Sequence, residues 1–213
     1  MRVKSDTKRQ AILDAAAEGF RELGVERTSM SEIAARVGGS KATLYSYFAS
    51  KEELVLEILL AIGEQHGKQA YAALKAAPDI RTGLTDFGVG HLKFVTNPDT
   101  MAIIRLAIAE GGRSGLGRQF YERGPRQLLL ELSIYLQELI DRGELSNGNA
   151  AQMACHLKAL YEAEIFDQHL FGAIDSKEDT DLEVIARRAV EAFLSLYGRQ
   201  AASDGTIRSP ISS

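Results

Sequence analysis

The sequence predicts an all-α chain in two parts: a small N-terminal three-helix unit carrying a helix-turn-helix, then a larger helical region, about nine helices in all. Three observations carry this expectation. Apolar residues recur at steps of three and four from residue 12 to residue 197, and no segment alternates with period two long enough to make a strand. Helix-start signatures, a Ser or Thr with Glu or Gln three residues on, recur within the first 53 residues. Only four prolines interrupt the 213 residues, and Pro78 and Pro98 fall where apolar segments end.

The first helix is expected to start at Thr7, which pairs with Gln10 at capping-box spacing. Ile12, Leu13, Ala16, Phe20 and Leu23 share one face, and Gly24 supplies a stop. Ahead of this helix and in its first turn, Arg2, Lys4, Lys8 and Arg9 outnumber the single acid Asp6. This basic arm either touches a nucleic-acid backbone or minor groove, or is an ordinary solvated terminus.

Residues 29–53, SMSEIAARVGGSKATLYSYFASKEE, are the most informative stretch. Ser29 and Glu32 can cap reciprocally, and Ser50 with Glu53 repeats the device before the next apolar run. Ser40, after Gly38-Gly39, reads as the N-cap of a short middle helix. The glycines permit a sharp turn, because they take left-handed backbone angles without a Cβ clash. Ile33, Ala34, Val37, Leu44 and Phe48 then fall inside, and small Ala34 lets two helices cross closely. Lys41, Thr43, Tyr45, Ser46 and Tyr47 remain outside. A cation, hydroxyls and aromatics on a short exposed helix suit a DNA major groove and its phosphates. Lys41, Thr43 and Tyr45 are the candidates for base contacts; Thr28, Ser29, Tyr47 and Lys51 are those for phosphates, with Ser40 beside them at the helix N-terminus.

The segment TSMSEIAARVGGSKATLYSYFASKEEL resembles the DNA-binding domain of the TetR/AcrR family of transcriptional regulators, most closely at residues 29–34, 40–48 and 50–54. The likeness reaches back to residue 7 and covers about 50 residues. It departs at Gly39, where the family usually carries a small aliphatic residue. Residues 103–125, IIRLAIAEGGRSGLGRQFYERGP, are similar to the ligand-domain region of AcrR-type members. The resemblance implies a ligand-responsive regulator, a repressor released from a palindromic operator by a small apolar or amphipathic molecule. It also implies a fourth helix linking the two domains, and a homodimer built by the last two long helices. A same-fold architectural or cell-cycle factor without a small ligand is the alternative, and an enzyme or carrier with a vestigial helix-turn-helix is a further one.

The remaining helices are expected at 51–76, 81–96, 99–110, 117–142, 149–171 and 180–197. The stretch 99–110 is apolar nearly all round, which predicts burial. The glycine-rich loop 111–117 reads as a mobile connection, a gate beside a pocket. Domains are placed at 1–53 for DNA binding and 54–198 for ligand binding and dimerisation, with a disordered tail at 199–213. The apolar stripes of the last two helices, Leu157, Leu160, Tyr161 and Ile165 with Leu182, Ile185, Ala189, Phe193 and Leu196, need a surface to bury them. A two-fold dimer through 149–171 and 180–197 would set two recognition helices about 34 Å apart, one turn of DNA.

A small-molecule effector is expected among the fifth to eighth helices, with Phe87, His91, Phe94, Met101, Ile104, Arg105, Phe120, Tyr161 and Glu164 as lining candidates. Each apolar or aromatic member could equally be core, and His91 could be a satisfied buried histidine. Arg105, a cation in an apolar helix, either pairs with Glu110 or Glu131 or faces a cavity. Glu164 either anchors a cationic ligand or makes an interface salt bridge.

Composition bounds the rest. Residues 1–53 hold nine basic and eight acidic residues, net +1, against −5 for the remainder and −4 for the chain. Bulk charge therefore does not announce nucleic acid, and few phosphate contacts per subunit would make dimerisation necessary. The single Cys155, read as a buried small residue, permits no intrachain disulfide and suits a reducing cytoplasm. No membrane span, signal peptide, zinc motif, phosphate loop or nucleophile elbow is legible, so neither cofactor nor metal nor enzymatic chemistry is expected.

Overall fold

The structure is a computed structural model and describes residues 5–25, 27–112, 115–174 and 180–199. Among these the chain is helical throughout, apart from one isolated bridge between Leu145 and Gly198. Eleven helices follow in order: α1 (Asp6–Leu23), α2 (Met30–Arg36), α3 (Lys41–Tyr47), α4 (Lys51–Ala76), α5 (Ile80–Val95), α6 (Pro98–Glu110), α7 (Leu116–Arg123), α8 (Pro125–Asp141), α9 (Ala150–Glu162), α10 (Phe166–Phe171) and α11 (Leu182–Tyr197). The basic arm at Arg2 and Lys4 lies outside the described residues, as do Arg113 and Ser114 of the glycine loop and most of the tail.

Two expected helices are each broken in two. The stretch 117–142 divides at Gly124, where Pro125 opens α8. Proline has no N–H to donate and crowds the preceding residue out of helical angles. The stretch 149–171 divides at 163–165, where no proline or glycine marks the break. There Ile165 leaves helical φ for −136° and turns its side chain into the core, so burial overrides local propensity. At the N-terminus α1 begins at Asp6 with Ser5 as its cap, which places Thr7 inside the helix; the expected Thr7–Gln10 box does not form.

Three cores result. Ile12, Leu13, Ala16, Ile33, Ala34, Leu44 and Phe48 hold α1, α2 and α3 together, and Leu54 from the start of α4 joins them. The next turns of α4 bring Val55, Leu56, Leu59 and Leu60 against Phe20 and Val25 on one side and Phe94 and Phe120 on the other. One helix is thus shared between the N-terminal unit and the larger bundle. The third core, built from α5, α8, α9 and α11, includes Leu84, Leu136, Leu157, Tyr161, Val190 and Phe193. α6 lies at the outside of the bundle and buries one face only: Ala102, Arg105, Ile108 and Ala109 are exposed, which corrects the expectation of burial all round. Among the described residues no helix is long and apolar enough to cross a membrane.

Candidate DNA-binding surface and internal cavity

The helix-turn-helix forms from local hydrogen bonds. Ser29 Oγ accepts from the Glu32 N–H (3.3 Å) while the Glu32 carboxylate accepts from the Ser29 N–H (2.7 Å). Gly38 takes φ +66° at the turn; Gly39 does not enter the left-handed region, and a Cβ there would meet only Lys8 Nζ, at 3.9 Å. Ser40 Oγ caps α3 by accepting from the Thr43 N–H at 3.1 Å. Ser50 Oγ caps α4 from Glu53 at 3.1 Å, and the Glu53 carboxylate takes the Ala49 N–H at 2.6 Å. Arg36 pairs with Glu22 at 2.6 Å and tethers α2 to α1, which also occupies acids on that side of α1.

The turn and α3 present Ser40, Lys41, Thr43, Tyr45 and Ser46 to solvent, with Tyr45 49% exposed. Ser29 is exposed at the start of α2, and Lys51 is half-buried at the start of α4. Tyr47 is half-buried, its hydroxyl accepting from the Ser5 N–H at 3.3 Å. Thr28 is a correction. Its side chain is fully buried, with the hydroxyl against the carbonyls of Gly19 and Gly24 at 2.9 Å each. It braces the turn after α1 and is not open to a phosphate, because a threonine hydroxyl has one proton to give.

A cavity of about 480 Å³ opens between α4, α5, α6, α7, α8, the C-terminal part of α9 and the start of α10. Of the lining candidates, Phe87, His91, Phe94, Ile104 and Phe120 are on its wall. The other four are elsewhere. Met101 is packed in the core, 2% exposed. Tyr161 is wholly buried, donates to the Leu84 carbonyl at 2.6 Å, and lies so close to α5 that a Cβ on Gly88 would stand 2.4 Å from its ring. Arg105 points outward and donates to the carbonyls of Leu170 (2.9 Å) and His169, so it caps the C-terminus of α10. Glu164 makes a two-pronged ion pair with Arg188 of α11. Cys155, expected inside, is exposed on α9.

Sequence reasoning missed several wall residues. Gly63 and Gly67, one turn apart on α4, hold the wall back: a Cβ on Gly63 would press Phe94 at 3.3 Å. His66 stacks on Phe94, with ring centroids 5.5 Å apart. Glu162 receives His91 at 2.8 Å and Lys158 at 2.5 Å. Burial pushes the Glu162 carboxyl up, but these two partners outweigh it and hold it below the usual carboxylate range. His91 and Glu162 are 71 residues apart, a separation that carries no motif. Glu131 also faces the cavity, and burial raises its carboxyl above the usual value. The helical spacing of Gly63 and Gly67 was the one cue available, since glycine inside a helix costs about 1 kcal/mol and calls for a spatial reason.

A second missed cluster lies where the two parts meet. Glu57 of α4, 8% exposed, is shared by Arg9 of α1 and Arg123 of α7. Arg123 is itself part of the cavity wall. Burial alone would raise the Glu57 carboxyl; the hydrogen bonds and charges of Arg123 and Arg9 together prevail and lower it. Arg9 also lies over the Phe48 ring at 5.1 Å, in the helix-turn-helix core. Among the described residues no group of three His, Cys, Asp or Glu side chains could hold a metal ion.

An exposed helix-turn-helix on one side and an aromatic cavity on the other, joined by a single long helix, are the arrangement of a DNA-binding regulator with an internal cavity. The chain belongs to the TetR family of transcriptional regulators. Residues 12–58 match the model of bacterial regulatory proteins of the tetR family, and residues 82–199 match the C-terminal domain of AefR-like transcriptional repressors. The HTH-type transcriptional regulator BetI of Agrobacterium fabrum is 30% identical over 150 residues, covering 68% of this chain and 72% of BetI. A TetR-family regulator from Mesorhizobium loti superposes with a TM-score of 0.78 at 29% identity, over 93% of this chain and all of the other. The flavonoid-responsive regulator FrrA gives a TM-score of 0.65 at 28% identity, over 92% of this chain and all of FrrA. Members of this family bind operator DNA, dimerise and respond to small molecules, and these relatives are regulators rather than enzymes.

Proposed function

We propose that this protein is a cytoplasmic homodimeric repressor that leaves a palindromic operator when a small apolar or amphipathic molecule fills the cavity. The observation that carries the reading is the shared carboxylate of Glu57, which ties a cavity-wall arginine to the first helix of the DNA-binding unit. A ligand that displaces Arg123 or bends α4 loosens that tie and shifts the recognition helix. It must bind the DNA-incompetent arrangement better, or it moves no population. Lys41, Thr43 and Tyr45 read bases, and Ser29, Ser40, Tyr47 and Lys51 hold phosphates. The subunits pair through α9, α10 and α11, where Cys155, Ala159 and Ala163 leave a small-residue strip open and Leu196 is 64% exposed. The flavonoid response named for FrrA supports a small molecule as the signal.

The test is selection of bound sequences from a random DNA pool, with the complex sized alongside. A palindrome of roughly one to two DNA turns, bound by an even number of chains, is the expected result. Tyr45→Ala should weaken binding to that sequence at least about tenfold, losing more than 1.4 kcal/mol, while dimer and melting temperature stay unchanged because half of this side chain is in solvent. No enriched sequence at low salt would remove the reading.

A further inference from the structure

We propose that the molecule this cavity takes is an organic cation with an apolar body, its charged nitrogen set against Glu131. The inference rests on the reading of the cavity as the effector site, and it comes from the charges on the wall. Among the described residues every other charged wall group already has a partner. Lys68 holds Glu64 at 2.8 Å, Arg123 holds Glu57, and Lys158 with His91 holds Glu162. Glu131 has no hydrogen bond or ion pair among the described residues; Lys68 and Glu64 of α4 reach it through space only. It faces α4 at Gly67, where even a Cβ would stop 3.8 Å short of its Oε2, so the missing side chain leaves the carboxylate open.

An anionic ligand would compete with an acid for its arginine or lysine, and it would face the unpaired Glu131. A neutral ligand would leave Glu131 unpaired as water leaves the site, which is costly for a carboxylate. A cation breaks nothing and supplies the missing partner. The remaining wall suits one as well: Phe87, the stacked His66–Phe94 pair, Phe120 and Phe166 line it, and aromatic rings attract a desolvated ammonium. A volume of about 480 Å³ admits a ring system or a medium alkyl chain beside the nitrogen.

The experiment is calorimetric titration of the full-length protein with decyltrimethylammonium, decanol and decanoate, which share one tail and differ in head group. The cation should bind roughly tenfold tighter than the alcohol, and decanoate weakest. In Glu131→Gln the cation should fall to the affinity of the alcohol while the alcohol is unchanged. Equal cation affinity in wild type and Glu131→Gln, or a preference for decanol or decanoate, overturns the inference and leaves the cavity reading standing. If none of the three binds, or if Gly63→Leu, which fills the cavity from α4, leaves every affinity as it was, the cavity reading itself fails.

Discussion

The two halves of this protein are specified in opposite ways. The DNA-binding unit has its helix starts and turn set by contacts a few residues apart: Ser29 with Glu32, Ser40 with Thr43, Ser50 with Glu53, and one left-handed glycine at 38. The cavity half is held by contacts far apart in the chain, such as His91 with Glu162 and Tyr161 with Leu84. The difference teaches why one surface and one pocket can serve a switch. The helix-turn-helix keeps its shape by its own caps and small core, while the pocket is enclosed by helices whose mutual placement is cooperative, which is what the proposed ligand response requires. α4, with Glu57, joins the two.

Overpacking the long-range half should have the largest effect. Gly88→Ala drives a methyl into the fully buried Tyr161 ring, and a loss of about 3 kcal/mol is expected in urea unfolding followed by far-UV dichroism. An effect below about 1 kcal/mol would show that α5 and α9 move apart freely, and the contrast between the halves would dissolve. In the local half, Thr28→Val keeps the shape but removes the proton given to Gly19 and Gly24. About 1–2 kcal/mol should be lost, with operator binding at saturating protein intact, since this side chain does not reach DNA.

The joint between the halves can be probed by pH. The folded Glu57 carboxyl titrates below its usual 4.5, so the clamp contributes its full stability above that value and loses it as pH falls through the folded value. Glu57→Gln should cost about 1 kcal/mol at neutral pH, moderated because both arginines are half in water, and should flatten the acid limb of the stability curve. An acid limb identical to that of wild type would rule out Glu57 as its source. The smallest expected effect is a gain. Gly39→Ala has room and needs no positive φ, so it should stabilise by about 0.5 kcal/mol and raise the melting temperature slightly. A loss there would mean that the turn uses the freedom of both glycines.

Legibility followed the same divide. The helix-turn-helix was readable because caps, turn glycines and the inward residues Ile33, Leu44 and Phe48 lie within one short window. Even there Thr28 misled: its hydroxyl looks available for a phosphate until α1 is folded back over it. In the bundle, five of nine lining candidates reach the cavity, and the misses share one cause. Met101, Arg105, Tyr161 and Glu164 sit on the helices with suitable composition, but which way each faces depends on partners 20 to 80 residues away, such as Leu84, Leu170 and Arg188. The broken helices divide likewise. The Gly124–Pro125 break has a local chemical cause, whereas the one at Ile165 has only a tertiary one.

By itself, then, the sequence determined the helical class, the starts of α2, α3 and α4 and the family, because hydrogen-bond caps and helical period act over three or four residues. Tertiary structure decided the rest. Among the described residues it paired every charged wall group but Glu131, turned Arg105 from a buried cation into a helix cap, and closed two arginines from different parts of the chain on Glu57. Those outcomes depend on which charges meet when water is excluded, and that is a property of packing between helices, which no single segment encodes.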